Sequence, residues 1–120
     1  MQVLKFGGSS VANAENINKV IAIVKRAAAN DRTVVVSSAI SGATDALLLI
    51  GETAKAGNEQ YTELIDKLQE RHLSIIAELV PAEESQAIRI PAMRCSTNLG
   101  KYAKVCSCLK SLQSSARTIL

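Results

Sequence analysis

Residues 2–10 read Gln2-Val3-Leu4-Lys5-Phe6-Gly7-Gly8-Ser9-Ser10, and residues 33–45 read Thr33-Val34-Val35-Val36-Ser37-Ser38-Ala39-Ile40-Ser41-Gly42-Ala43-Thr44-Asp45. Each begins as a short β-type run and stops abruptly in small residues. Between them, from Val11 to about Ala29, the apolar residues Ile17, Val20, Ile21, Val24, Ala27 and Ala28 fall at helical spacing. Asn30-Asp31 breaks that helix. The nearly continuous β-branched run from Thr33 to Ser37 fits a buried parallel strand. Strand, helix, strand and helix joined by short turns make a βαβα unit, so the class is α/β.

Thr44-Asp45 opens a second helix to about Lys55, which Gly57-Asn58 ends. A longer amphipathic helix follows, from Gln60 to Leu79, with Leu64, Leu68, Ile75 and Leu79 on one side. Pro81 with Glu83 and Glu84 marks the start of another, since proline and acids suit a helix N-terminus. Only two clear strands are visible, and a two-stranded parallel sheet is not a stable domain by itself. The expectation is therefore a fragment of a larger sheet. Its open strand edge and uncovered helix faces predict self-association, with Leu64, Leu68 and Ile75 packed against another copy in a homo-oligomer.

Composition narrows the class further. The chain has 120 residues, 48% of them apolar, but no Trp, one Phe and two Tyr. Such a core is built from Ala, Val, Ile and Leu, the usual material of a helix-covered sheet. No apolar run reaches the ~18–20 residues that span a bilayer. The first residues carry one Lys before a glycine pair and no long apolar region, unlike a secretory signal. A cytoplasmic location without a membrane partner is the default expectation.

The chemistry concentrates where the two strands end, which is where ligands bind in open α/β sheets. Gly7 and Gly8 allow the backbone to approach an anion and aim N–H groups at it. A helix starting just beyond adds its positive end, and Lys5 adds a full charge. These parts suit the holding of polyphosphate during phosphoryl transfer, where positioning and charge neutralisation dominate. A tight strand-to-helix turn with a surface lysine would look the same. In the second segment, hydroxyls and amides suit a carboxylate or phosphate, although for this segment taken alone N-capping by Ser41 or Thr44 is the favoured reading. There is no GxxxxGK[ST] and no GxGxxG, which argues against a P-loop or dinucleotide site. The single His72 falls in mid-helix and reads as a packing or surface residue.

Taken together, the segment from Met1 to Ile17 and the segment from Val34 to Leu48 resemble the two glycine-containing loops of aspartate kinases. The wording of the first is closest to the bifunctional aspartokinase–homoserine dehydrogenases. The resemblance covers about residues 1–86 and implies a partial three-layer αβα amino-acid-kinase fold, an N-terminal βαβα unit plus a helical hairpin with an incomplete parallel sheet. It implies transfer of the γ-phosphate of ATP to the side-chain carboxylate of L-aspartate with Mg2+, the first step toward lysine, threonine and methionine. Lys5 would be the catalytic, transition-state-stabilising lysine. Gly7, Gly8 and Ser9 would form the first phosphate loop with it, Gly42 would belong to the second, and Ser38 and Thr44 would hold aspartate. In such enzymes the acid and arginine completing the aspartate site, and the nucleotide-base site, come later in the chain, so this piece alone is expected to be inactive. Relatives acting on carbamate, acetylglutamate or uridylate share the fold and remain alternatives, as does a non-catalytic self-associating module.

Residues 87–120 do not share the resemblance. They hold six bases and no acid, whereas residues 1–86 hold eight bases and all eleven acids. All three cysteines, Cys95, Cys106 and Cys108, lie there too. Three cysteines without a local histidine are too few for a zinc site. A nucleic-acid arm would have only Tyr102 for stacking, so no nucleic-acid partner is expected. The remaining readings are a divergent tail and an out-of-frame one, since a two-base shift of permitted codons for Gly100 to Ser111 can restore kinase-like wording.

Overall fold

The computed structural model describes the backbone of residues 1–119 and the side chains of residues 1–109. The chain forms two compact units, Met1–Thr44 and Asp45–Leu120.

In the first unit, β1 (Gln2–Phe6) leads through a 3-10 turn (Gly8–Val11) to α1 (Ala14–Asn30), and β2 (Thr33–Ser37) returns parallel to β1. The register is Gln2 with Thr33 through Phe6 with Ser37. Asn13 caps α1, its side-chain oxygen accepting from the backbone N–H of Asn16 at 2.9 Å, which satisfies one of the donors a helix start leaves open. At the other end Asp31 is extended and its N–H donates to Ala27 at 3.0 Å. The Gln2 amide then ties three elements, donating to the carbonyl of Ala27 and to the Thr33 hydroxyl, each at 3.1 Å.

Both strands fall where the sequence puts them, but β2 is not buried. Val34, Val35 and Val36 all stay exposed. α1 packs on the sheet, and among the described residues no further strand flanks it. The β-branched run therefore reports strand propensity, while its burial depends on layers these residues do not supply.

α2 (Ala43–Lys55) begins at the end of the first unit and lies mostly in the second, which continues with α3 (Tyr61–Leu79) and α4 (Ala82–Ile119). Gly57 adopts the left-handed conformation (φ 73°) just past α2, the usual helix stop. Ile50, Ala54, Tyr61, Ile65 and Ala103 form the core, with Leu64, Leu68 and Leu99 packed against it. Thus α4 of the same chain covers the α3 side carrying Leu64 and Leu68, a role the sequence reading assigned to a second copy; Ile75 is half-buried. His72, part-buried on α3, turns its Nδ1–H to the carbonyl of Leu68 at 2.7 Å. α4 runs without interruption across residues 86 and 87, and Pro91 lies inside it. The cysteines Cys95, Cys106 and Cys108 are exposed.

Candidate functional site

The two loops meet at the C-terminal ends of the paired strands. Strand pairing extends one residue past β2, where the N–H of Ser38 donates to the carbonyl of Phe6 at 3.0 Å. Gly8 then lies against the second loop. A Cβ on it would stand 3.4 Å from the carbonyl oxygen of Ala39 and 3.5 Å from Cα of Ser41. Gly42 holds φ 78°, a left-handed conformation that favours glycine, and the N–H of Ala43 donates to Ile40 at 3.0 Å to close the turn into α2.

Gly7 differs from both. Its backbone is extended (φ −82°, ψ 174°), open to any residue, and a Cβ there would meet nothing within 4 Å. Neither conformation nor packing asks for glycine at this position.

Lys5 is exposed and has no hydrogen-bond or ion-pair partner among the described residues. It pairs in register with Val36. Strand alternation sets Lys5 on the side of the sheet opposite to Leu4 and Phe6, and Phe6 faces α1. Ser9, Ser38, Gly42 and Thr44 are likewise exposed, Ser9 in the 3-10 turn and Thr44 in the first turn of α2. All these residues belong to the first unit.

The 3-10 turn changes one expectation. α1 does not start directly at the glycines; Ser10 donates to Gly7 within the turn, and Asn13 closes the start of α1 with Glu15 in its first turn. The helix end that follows the second loop is that of α2. The sequence reading also passed over Asn16, whose side-chain amide donates to the carbonyl of Ser9 at 2.9 Å and anchors the first loop. Its legible signal is the Asn-x-x-Asn spacing at a capped helix start.

On the α1 side of β1 lies an open groove of about 280 Å³ lined by Phe6, Ser9, Ser10, Asn16, Lys19, Val20 and Ile23. Its cation is engaged, since Lys19 Nζ sits 2.6 Å from Glu15. That hydrogen bond, with the lysine charge, holds the Glu15 carboxyl below its usual range. Lys5, on the opposite side of the sheet, has no such partner among the described residues. Among the described residues no three His, Cys, Asp or Glu side chains group into a metal site.

The sequence matches the amino acid kinase family over residues 1–117. It is 30% identical over 82 residues to the chloroplastic bifunctional aspartokinase/homoserine dehydrogenase 1 of Zea mays, an alignment covering 68% of this chain and 9% of that protein. It is 39% identical over 59 residues to an aspartokinase of Rickettsia prowazekii, covering 48% of this chain and 13% of the relative. With an aspartokinase of Rickettsia conorii it shares 41% over 64 residues, 51% of this chain and 16% of the relative. The chain thus spans 9% to 16% of the length of these curated relatives.

Proposed function

The chain belongs to the amino acid kinase family, and from that premise we propose that it is part of an aspartate kinase, transferring the γ-phosphate of ATP to the side-chain carboxylate of L-aspartate. The observation that carries this reading is the contact of Gly8 with the backbone at Ala39 and Ser41. It joins a lysine–glycine loop to a hydroxyl-rich loop at the ends of two adjacent parallel strands, one suited to phosphate and the other to a carboxylate. Two of the curated relatives are named aspartokinases.

In this reading Lys5 neutralises charge that spreads over the phosphoryl oxygens in the transition state, which is where a fixed cation helps most. Gly7 leaves room for phosphate to approach the main chain, and Gly8, Ser9 and Gly42 shape the two loops around it. Ser38 and Thr44 would orient the aspartate carboxylate for in-line attack. No covalent enzyme intermediate is required. Mg2+ would arrive with the nucleotide, because these residues alone make no cation site and Asp45 is the only acid within either loop. A cytoplasmic setting and a homo-oligomeric parent belong to the same proposal. Among the described residues no helix is long and apolar enough to cross a membrane.

The test is a chimera in which residues 1–86 replace the matching segment of the Rickettsia conorii aspartokinase. Aspartate-dependent ADP release, lost on Lys5→Ala, is expected. Transfer to carbamate, acetylglutamate or uridylate instead would move the chain to another branch of the family.

A further inference from the structure

Beyond residue 93, helical spacing divides the described part of α4 into three sectors. Ser96, Leu99, Ala103 and Ser107 recur on the side that packs on the core, with Ala103 buried in one cluster with residues of α2 and α3. Arg94, Lys101 and Lys104 are exposed along a second side. Tyr102, Val105 and Leu109, at i, i+3 and i+7, form a third, and they are 73%, 56% and 56% exposed. An apolar stripe so open, running beside a basic one, is not a solvated face of ordinary composition.

The charge around it chooses the occupant. No acidic residue follows Glu84, and residues 87–120 carry six bases. A second copy laid antiparallel on the stripe would bring Lys101 and Lys104 against their own equivalents. A nucleic acid would use the bases but not the stripe, and Tyr102 is the one aromatic available. A bilayer surface with acidic headgroups uses both: lysine and arginine stems extend to the phosphates while neighbouring apolar side chains enter the headgroup–acyl boundary. We propose that α4 is an interfacial helix that docks this chain on anionic lipid, with Tyr102, Val105 and Leu109 inserted and Arg94, Lys101 and Lys104 at the headgroups. This runs against the sequence expectation of no membrane partner, and it is independent of the kinase assignment.

The experiment is flotation of the whole chain with phosphatidylcholine vesicles, with and without phosphatidylserine, at low and high salt. Binding is expected only to the anionic vesicles, released by salt. Each buried or headgroup-facing side chain contributes modestly, so both Lys101→Glu/Lys104→Glu and Val105→Ser/Leu109→Ser should weaken binding by about tenfold or more, with unchanged circular dichroism. Equal partition onto neutral vesicles, or no partition at all, overturns the proposal on the wild-type chain alone. Anionic binding untouched by Val105→Ser/Leu109→Ser, or tighter binding to duplex DNA than to vesicles, overturns it in favour of a plain polyanion site.

Discussion

A Cβ on Gly8 would stand 3.4 Å from the carbonyl oxygen of Ala39, so the two loops of the first unit touch through main chain. The neighbouring glycine has no such contact. The pair therefore separates two reasons for glycine. Gly8→Val should push the loops apart and lower stability by about 1–3 kcal/mol, the usual cost of overpacking. Gly7→Ala should stay within about 0.5 kcal/mol of the parent in urea unfolding, yet weaken phosphate binding in the chimera. Equal destabilisation by both would show that Gly7 serves the fold.

Gly42 makes the case for backbone. Its φ of 78° costs an L-residue roughly 1–2 kcal/mol. We expect Gly42→Ala to destabilise the chain by about that amount, with Gly42→Asn milder because Asn tolerates the left-handed region. Thermal melts of the two variants decide it, and an unchanged Gly42→Ala midpoint would contradict the turn geometry.

In α2, two adjacent residues should respond with opposite sign. Ile50 is 1% exposed, and truncation to Ala should cost about 2–5 kcal/mol. Gly51 faces open space inside the helix, where Ala is better by roughly 0.5–1 kcal/mol. Ile50→Ala and Gly51→Ala measured side by side in denaturant would test the assigned face of α2, and reversed signs would rotate it.

Backbone protection should differ along the chain. Val11, Ala14 and Ala43 are the buried apolar residues of the first unit, and its strand valines are exposed. Few buried contacts mean low-energy local opening. Hydrogen exchange should therefore reach the β2 amides of Val34 to Val36 well before those of α3 around Ile65. Protection of β2 equal to that of α3 would disprove the expectation.

The purified 120-residue chain is expected to transfer no phosphate to aspartate by itself. Lys5 and the loops offer a cation, hydroxyls and main-chain donors, but they provide a single carboxylate and no seat for the base. Phosphate release that depends on ATP and aspartate and disappears on Lys5→Ala would prove this wrong.

Both strands and the limits of α2 and α3 were readable because their signals are local: β-branched residues, glycine stops and helical periodicity. What could not be read depended on distant partners. The TVVVS run looks buried, but burial of Val34 to Val36 needs a layer on the other face of the sheet. Leu64 and Leu68 look unpartnered until α4 is known to continue through Pro91 to Ala103, which no periodicity announced. In the candidate site, Lys5 and the glycines were visible as residue types. The difference between Gly7 and Gly8 was not, since it lies in what a missing Cβ would touch. The anchoring amide of Asn16 was hidden for a related reason: the 3-10 turn that brings Ser9 to it has no strong sequence mark.

The order of the two units along the chain has a consequence during synthesis. The contacts within the first unit can all form once Thr44 has emerged, whereas Ile50 and Ala54 gain their full surroundings only when Ala103 arrives. At ~5–20 residues per second, the buried side of α2 stays bare on the ribosome for on the order of several seconds. Within that interval α2 and the first turns of α3 are a stretch a nascent-chain chaperone would grip.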